Sequence, residues 1–178
     1  TYHIRVKASG TVLASENKDV EVAAYVPATR YGVWIGSTEI TSANKTAVLG
    51  DSKISYDPST KTLTLNGANI TGAGNRKYTS SITDACGIYS KHDLTIEVRG
   101  ENTIAGAKDQ RYGSYGIFVS GRLTFTNDNT DNKLTITGGT STNRGNAWVP
   151  GIYASSITVN DCHLIVSGGT ATNDQSPV

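Results

Sequence analysis

A sequence motif of eight residues, here called a phrase, occurs in this chain in two similar copies. This repetition restricts the fold more than any other feature of the sequence. Residues 136–143 read ITGGTSTN, and residues 166–173 read VSGGTATN. A second phrase, glycine followed by isoleucine and an aromatic residue, begins at Gly87, Gly116 and Gly151. Repetition with a period of about 30 residues is typical of folds in which successive repeats stack on one another. We therefore expect a stacked repeat architecture.

Between these phrases, apolar and polar residues alternate in short runs, and no run keeps a helical period. Alternation with a period of two places the apolar side chains of a segment on one face, as in a half-buried β-strand. The chain is therefore expected to be all-β. The clearest runs are residues 63–65 (LTL), 94–98 (LTIEV), 123–126 (LTFT), 134–136 (LTI) and 157–159 (ITV).

Superposing the phrases divides the repeating part into units of three strands each. The predicted units are about 54–86, 87–115, 116–150 and 151–178. Stacked units place like residues about 4.8 Å apart and form one continuous core. Because few two-residue hairpin turns separate the strands, the pattern favours a parallel β-helix of about four coils over the alternative, a Greek-key sandwich. The predicted core columns are Ile88, Ile117 and Ile152, and Leu65, Ile96, Phe125 and Val159.

The two cysteines lie far apart in this arrangement. Residues 63–70 align without a gap on residues 157–164, which places Cys162 at the small, inward position of Ala68. Cys86 precedes the first glycine-isoleucine-aromatic strand, on a different strand two coils away. A disulfide needs Cα atoms within about 7 Å, so both residues are expected to be free, buried thiols.

The ends of the chain do not follow the repeat. Residues 1–30 read as the end of a preceding β-rich repeat or as an N-terminal extension, and residues 31–53 are predicted to cap the domain formed by residues 31–178. No equivalent cap follows the last unit, so a larger parent protein is expected. The open C-terminal coil is then predicted to allow self-association, because an uncapped coil exposes unpaired backbone and apolar side chains.

Charge and hydropathy exclude two classes of partner. The chain has 16 Lys and Arg residues against 15 Asp and Glu residues, without a basic cluster. Binding to nucleic acid or to an anionic membrane surface needs such a cluster and is not expected. No apolar run approaches the about 20 residues that a transmembrane helix needs, so membrane insertion is not expected either.

Part of the chain resembles a known family. Residues 31–44 (YGVWIGSTEITSAN), 48–51 (VLGD) and 55–66 (SYDPSTKTLTLN) resemble a domain of large surface proteins from gut bacteria that is described as a carbohydrate-binding module. Such domains are similar to clostridial right-handed β-helix proteins that bind polygalacturonate and, more distantly, to the pectin-lyase-like superfamily. The resemblance covers about residues 31–170 and carries no catalytic motif that maps onto this chain. Residues 1–30 resemble the end of a β-grasp-type repeat.

The resemblance implies a right-handed parallel β-helix at the bacterial cell surface, outside the cell. It also implies a polysaccharide partner, either a pectic or other plant glycan or a host glycan.

The aromatic residues carry the binding hypothesis. If the isoleucines of the repeated tetrads point inward, alternation turns the next residue outward, and these residues are Tyr89, Phe118 and Tyr153. Sugars pack their C–H faces on aromatic rings, so such a ladder suits a polysaccharide. Three more aromatic residues, in the loops that lead into these strands, could wall a groove: Tyr112, Tyr115 and Trp148. The alternative is that loops cover the rings and the protein is a structural or adhesive spacer.

The acids and histidines give little support for catalysis. A glycosidase on this fold needs carboxylates that converge on one face. The position after the Leu-Thr-Ile strands holds an acid only at Glu97, and His3, His92 and His163 complete no recognisable triad. We therefore expect a non-catalytic protein, with polysaccharide lyase or hydrolase activity as a further alternative.

One loop could hold a metal ion. Residues 127–132 (NDNTDN) are rich in oxygen ligands, and Ca²⁺ takes six to eight of these. The loop lacks the spaced acids of an EF-hand, and such turns are common without an ion because their side chains bond to local backbone groups. No cofactor is therefore expected, and Ca²⁺ at Asp128 and Asp131 is the alternative.

Overall fold

The computed structural model describes residues 2–4, 18–20, 26–77, 83–108, 113–127, 129, 131–141 and 148–171. Within these residues the chain is all-β, as predicted. The strands that precede the first repeated tetrad are β1 (Tyr2–Ile4), β2 (Lys18–Val20), β3 (Arg30–Ile35), β4 (Thr38–Thr41), β5 (Ile54–Asp57), β6 (Thr62–Asn66), β7 (Asn69–Thr71) and β8 (Ala73–Lys77). The next seven are β9 (Thr83–Ser90), β10 (Leu94–Arg99), β11 (Glu101–Ala105), β12 (Ser114–Val119), β13 (Arg122–Asn127), β14 (Lys133–Thr137) and β15 (Thr140–Ser141). The last four are β16 (Ile152–Tyr153), β17 (Ser156–Val159), β18 (His163–Ser167) and β19 (Thr170–Ala171).

Three sheets form the body of the described structure, and successive repeats each add one strand to a sheet. Sheet 1 has the order β16-β12-β9-β3-β4, sheet 2 the order β17-β13-β10-β6-β5, and sheet 3 the order β18-β14-β11-β7. All pairs between successive repeats are parallel. The short strands β15 and β19 add a further parallel pair, whereas β8 joins β9 antiparallel and β1 pairs with β2.

The repeated phrases of the sequence lie directly on one another. Ile117 pairs with Ile88 on one side and with Ile152 on the other, which confirms the first predicted core column. The doubled Gly-Gly-Thr phrase is also in register, since Ile136 pairs with Val166 and Thr140 with Thr170. The sequence period is therefore the period of the strand pairing.

The core lies between the three sheets and is filled by the inward residue of each alternating pair. Sheet 2 shows the alternation clearly, because the apolar residues of β10 are buried while the threonine and glutamate between them are only half-buried. The hydrophobic residues with no exposed surface in the two middle repeats are Ile88, Ile96, Val98, Ile117, Val119, Leu123, Phe125, Leu134 and Ile136.

The register of sheet 2 differs from the prediction by two residues in the first repeat. Leu63, rather than Leu65, lies in the column of Ile96, Phe125 and Val159. The sequence alignment equated the turn at residues 66–67 with the turn at residues 160–161. In the structure β6 continues to Asn66 whereas β17 ends at Val159, so the last repeat turns two residues earlier along its strand.

The shift also moves Cys162 away from the predicted position. Ala68 lies in a column with Asn102, Leu134 and Leu164, and Cys162 comes two residues before that column. Cys162 is half-buried against the core rather than fully buried, and burial raises the pKa of its thiol. Neither cysteine forms a disulfide, as predicted, and Cys86 is buried in a separate cluster with Tyr115 and Phe118.

One end of the stack is closed by antiparallel strands. β3 pairs with the C-terminal half of β9, β4 pairs with β3, and β5 pairs with β6. Side chains from this segment cover the end of the core, and Ile40, Val48, Ile54 and Tyr56 are all buried. The Nε2 atom of His92 lies 2.6 Å from the backbone oxygen of Tyr31 and ties the closing segment to the turn after β9.

Buried asparagines link the corners of successive repeats between sheets 2 and 3. Asn102 accepts a hydrogen bond from the backbone N–H of Ala68 in the repeat before it, at 2.8 Å, and donates to the carbonyl oxygens of Arg99 and Gly100. One repeat later, Asn132 accepts from the N–H of Gly100 at 2.6 Å. Each amide thus bonds to backbone groups at the corner of the neighbouring repeat.

The glycines of the tetrads are required because the chain passes close to its neighbours at that point. A Cβ atom added at Gly116 would lie 2.5 Å from the backbone oxygen of Gly151 and 2.6 Å from Cγ2 of Ile136. The doubled phrase shows the same crowding at Gly138, whose added Cβ would lie 2.5 Å from the N atom of Gly169. Its counterpart Gly168 is exposed, and an added Cβ there would meet only the oxygen of Val149, at 3.7 Å.

The two copies of the doubled phrase should respond differently to the same substitution. Gly138→Ala is expected to lower the free energy of unfolding by about 2–3 kcal/mol, because overpacking forces the surrounding backbone to move. Gly168→Ala should change it by less than about 0.5 kcal/mol, as for an ordinary surface site. Chemical denaturation of both variants measures the two effects. Equal losses would contradict the packing described here.

A second substitution tests the asparagine corner. Asn102→Leu should destabilise the protein by about 1–3 kcal/mol, because it leaves the buried N–H of Ala68 without its partner. The carbonyl groups of Arg99 and Gly100 also lose a hydrogen bond, although they keep those from the N–H groups of Gly67 and Lys133. Asn69→Leu is the control, since Asn69 is exposed and its side chain loses one described hydrogen bond, the one it accepts from the Thr103 hydroxyl. Thermal unfolding of both variants should show a lower midpoint only for Asn102→Leu.

Candidate functional site

An aromatic row crosses the outer face of sheet 1. Trp34 of β3 pairs with Tyr89 of β9, Tyr89 with Phe118 of β12, and Phe118 with Tyr153 of β16. The ring centroids are 5.1, 5.9 and 4.7 Å apart along the row. Strand pairing thus brings the three predicted tetrad aromatics together. The pairing also brings Trp34 into the row. In the sequence, Trp34 stands between two apolar residues, Val33 and Ile35, and this alternation is the signal that could have predicted its place.

The rings in this row pack mainly against one another. Trp34 stacks on Tyr89 with an angle of 22° between the ring planes, and Phe118 stacks on Tyr153 with an angle of 12°. Tyr115 contacts Phe118 and Tyr153 edge to face. A ring that stacks on its neighbour in the row has one of its two faces covered, so that face is closed to a sugar.

Burial corrects part of the predicted aromatic site. Phe118 is 5% exposed and Tyr115 is 4% exposed, so neither ring can offer a face to a ligand in solution. Tyr89 is half-buried, whereas Tyr153 is 45% exposed and Trp148 is 59% exposed. Tyr112 lies outside the described residues. Of the predicted aromatic residues that the structure describes, Tyr153 and Trp148 are the exposed ones.

The first ring of the row is also partly covered. The Nζ atom of Lys91 lies 5.1 Å from the centroid of the Trp34 ring, within the range of a cation–π interaction. Trp34 itself is half-buried. The row is therefore accessible mainly from the opposite end, at Tyr153.

A second surface lies on the outer face of sheet 2 and is lined by threonines. Thr95 pairs with Thr62 and Thr124, and Thr124 pairs with Thr158, so four hydroxyl side chains form one row. A parallel row contains Thr64, Glu97 and Thr126. We call these two rows the threonine face. The sequence signal for this face is the threonine between the core residues of the Leu-Thr-Leu and Leu-Thr-Phe runs, which by itself indicates only strand alternation.

Two adjoining shallow pockets, of about 250 and 450 Å³, lie on the threonine face. They share Thr60 and Thr95, so together they make one extended groove across successive strands. The first pocket is lined by Thr60, Lys61, Asp93, Leu94, Thr95, Arg122 and Thr124. The second is lined by Asp57, Thr60, Thr62, Thr64, Thr95, Glu97 and Thr126.

The carboxylates of this groove are held by hydrogen bonds. Asp93 accepts a hydrogen bond from the backbone N–H of Arg122 at 2.8 Å, which lowers the pKa of its carboxyl group. Asp57 accepts from the hydroxyl group of Ser59 at 2.6 Å and from its backbone N–H at 2.9 Å, and these bonds lower its pKa.

Glu97 is held by groups on both sides. Its Oε1 atom accepts from Arg99 at 2.7 Å, and its Oε2 atom accepts from the Thr64 hydroxyl at 2.8 Å. The groove therefore presents fixed acceptors and hydroxyl groups next to the cationic side chains of Lys61 and Arg122. Such a set can form hydrogen bonds with a ligand rich in hydroxyl groups.

In the loop with the predicted Ca²⁺ ligands, the amide oxygens of Asn127 and Asn129 accept hydrogen bonds from within the loop. Oδ1 of Asn127 accepts from the N–H of Asn129 and from the side chain of Asn132, and Oδ1 of Asn129 accepts from the N–H of Asp131. Asp131 is exposed, and Asp128 lies outside the described residues. The structure contains no group of three potential His, Cys, Asp or Glu ligands within the residues it describes.

The histidines occupy unrelated places. The side chain of His3 is outside the described part, His163 is exposed on β18, and His92 lies in the turn after β9. Nδ1 of His92 is 3.0 Å from the oxygen of Asp93, and the ring also contacts the backbone of Tyr31. His92 thus lies between backbone groups of two segments.

In the part of the chain that the structure describes, no helix has the length and apolar character that spanning a membrane requires. Comparison with protein-family models, with curated proteins and with solved structures gives no match for this chain.

The hydrogen bond between Asp93 and the next repeat predicts a pH effect. The pKa of Asp93 is lower in the folded protein than its ordinary value of 3.8, so the contact stabilises the fold above that value and is lost as the pH falls. Asp93→Ala should therefore lower the unfolding temperature at pH 7, and its difference from the wild type should shrink towards pH 3. Thermal scans across this range, with the exposed Glu101→Ala as a control, measure the effect. A difference independent of pH would contradict it.

Proposed function

We propose that the three-sheet stack is a right-handed parallel β-helix and that it serves as a non-catalytic module that binds an extended polysaccharide on its threonine face. The fold proposal is supported by repeats of about 30 residues that add one parallel strand to each of three sheets. The hand is supported by the strong general preference for right-handed connections between parallel strands of one sheet.

The observation that carries the binding proposal is the groove that continues across several strands of the threonine face. Sugar hydroxyl groups both donate and accept hydrogen bonds, and so do threonine hydroxyl groups, whereas the fixed carboxylates of Asp57, Asp93 and Glu97 accept. The threonine row repeats at the strand spacing, so equivalent groups recur along the groove. This arrangement suits an extended ligand with regularly repeated hydroxyl groups.

The cationic side chains narrow the ligand class. Lys61 and Arg122 line the same pocket as Asp93, and a uronate carboxylate placed between them would find charge-assisted partners. Acidic pectic polysaccharides are therefore the first ligands to test, followed by other plant glycans and host glycans. A cell-surface, extracellular location remains part of this proposal, because it is the place where such ligands occur.

The same groups argue for binding without cleavage. A glycosidase needs a carboxylic acid that stays protonated near neutral pH, which requires a raised pKa. In the groove, the carboxyl groups of Asp57 and Asp93 have lowered pKa values instead. Glu97 is paired with Arg99 and accepts from Thr64.

The second candidate is the structural spacer, and the aromatic row favours it. Rings that stack on one another stabilise contacts between repeats without any ligand. A polysaccharide-binding module should be retained on a polysaccharide, whereas a structural spacer should not. Substitution of the exposed residues Tyr153 and Trp148 tests whether a bound sugar contacts the aromatic row instead of the threonine face.

The binding test is a glycan array followed by affinity electrophoresis in gels that contain the best ligand. The double variant Thr95→Val and Thr124→Val removes two hydroxyl groups while keeping the shape of both side chains. It should weaken binding about 5- to 150-fold, because each lost hydrogen bond contributes about 0.5–1.5 kcal/mol. The matched control is Thr103→Val with Thr135→Val, which changes two outward threonines of sheet 3. The control should bind as the wild type does.

Each outcome discriminates between the hypotheses. Loss of binding in Tyr153→Ala or Trp148→Ala with no loss in the threonine variant would place the site on the aromatic row. Absence of retention on every polysaccharide would support the spacer. New reducing ends or an unsaturated-uronate absorbance after incubation with pectic substrates would contradict the non-catalytic proposal.

A further inference from the structure

One residue of the groove has a backbone conformation that its side chain does not favour. Lys61 has a φ angle of 54°, and among the described residues other than glycine only Asp161 also has a positive φ. The left-handed region brings Cβ close to the following carbonyl oxygen, so it is used mainly by glycine, asparagine and aspartate. Lys61 therefore carries backbone strain that an asparagine at this position would reduce.

The fold requires this backbone conformation but not the lysine side chain. Lys61 is the last residue of the turn between β5 and β6, and its carbonyl oxygen accepts a hydrogen bond from the N–H of Thr95 at 3.0 Å. This bond ties the turn to β10 of the next repeat through the backbone alone. A glycine or an asparagine would make the same bond with less strain. Strained residues of this kind are concentrated at functional sites, so the side chain of Lys61 needs a separate explanation.

Lys61 lines the first pocket of the groove together with Asp93 and Arg122. The strand order places Lys61, just before β6, and Arg122, on β13, on opposite sides of β10 and of the Asp93 that precedes it. The hydrogen bond from the Arg122 N–H lowers the pKa of Asp93 most, and the charges of Arg122 and Lys61 lower it further. Both cations therefore lie near this carboxylate. Two positive charges against one negative charge leave this pocket with a net positive charge.

Neither cation of this pocket has a fixed partner. Arg99 is paired with Glu97 at 2.7 Å, whereas neither Lys61 nor Arg122 forms an ion pair within 4.0 Å in the part of the chain that the structure describes. Both residues are exposed. An exposed cation without a partner is available to an anionic group of a ligand, with which it forms a stronger hydrogen bond than a neutral donor does.

We propose that Lys61 is a specificity-determining residue of the groove, which together with Arg122 selects a polysaccharide carrying carboxylate or sulfate groups over a neutral one. This inference rests on the proposed function, because it requires that the threonine face binds a polysaccharide. The hydroxyl groups of Thr95 and Thr124 bind the sugar hydroxyl groups, and the two cations bind the charged groups. The lysine thus lowers the stability of the turn and provides ligand selection.

The test measures the stability and the binding of the same variant. Without a ligand, Lys61→Asn should raise the midpoint of thermal unfolding by about 2–4 °C, because asparagine reduces the strain. In affinity electrophoresis, the wild type should bind polygalacturonate more tightly than its methyl ester, or dextran sulfate more tightly than dextran. Preference within the first pair identifies a carboxylate as the recognised group, and preference within the second pair identifies a sulfate.

Lys61→Asn should weaken binding of the preferred charged polysaccharide about five- to tenfold and leave binding of its neutral counterpart unchanged. Arg122→Gln should weaken the same binding without raising the unfolding midpoint, because it removes a charge but no strain and keeps the backbone N–H that binds Asp93. Lys53→Asn is the matched control. It removes the same charge from an exposed turn outside both pockets, and it should change neither the binding nor the midpoint.

Three outcomes would overturn the inference and leave the proposed function intact. They are equal binding of the charged and neutral forms by the wild type, undiminished binding of the charged form by Lys61→Asn, and an unfolding midpoint that does not rise in Lys61→Asn. In the last case the lysine would fit the turn and would need no function to explain it. Absence of retention on all four polysaccharides would overturn both the inference and the proposed function.

Discussion

Parallel pairing of each repeat on the next, residue upon like residue, is the interaction on which the rest of the structure depends. It fixes the distance between equivalent residues at the strand spacing of about 4.8 Å. Inside the stack, that distance leaves no room for a larger side chain where the chain bends. Gly116 and Gly138 meet this limit directly, because an added Cβ would collide with the backbone of the following repeat. The same close stacking lets the buried side-chain amides of Asn102 and Asn132 accept hydrogen bonds from backbone N–H groups at the corner of the preceding repeat.

The same spacing gives opposite results for the two outer rows. Aromatic rings on neighbouring strands are close enough to pack on one another. The rings of the row through Tyr89 and Phe118 therefore cover much of one another's surface. Threonine side chains are short and cannot fill the space above the sheet. A row of threonines therefore leaves a shallow groove, and the longer side chains at its borders, such as Lys61 and Arg122, form the walls. A residue type that suits sugar binding as a single exposed ring thus becomes a packing element when it is repeated at every strand.

The sequence was sufficient to predict the parts of the fold that depend on periodicity. Strand alternation and the repeated tetrads predicted an all-β chain in which Ile88, Ile117 and Ile152 form a column. Periodicity could not decide the register of Leu63 against Leu65, because both residues point inward and the two choices differ by a full alternation period. The position of the turn relative to the strand end decided it, and the strands of the first and last repeats differ in length.

The candidate site was harder to predict, because burial depends on neighbours that are distant in sequence. The exposed fraction of Phe118 is set by rings on two other strands, and no local pattern contains that information. Threonines in a strand are expected from β-propensity alone, so their alignment into a face becomes visible only when the strands are paired.

Alternation along β17 separates the threonine face from the core. Thr158 and Val159 are adjacent in β17, yet the first lies in the threonine row and the second ends a core column. Neighbouring residues of a strand point to opposite faces, so the groove and the core share a backbone without sharing side chains. Polysaccharide binding and core packing can therefore be changed independently. An effect of Val159 on binding would then have to pass through the strand itself, since its side chain lies on the inner face of sheet 2.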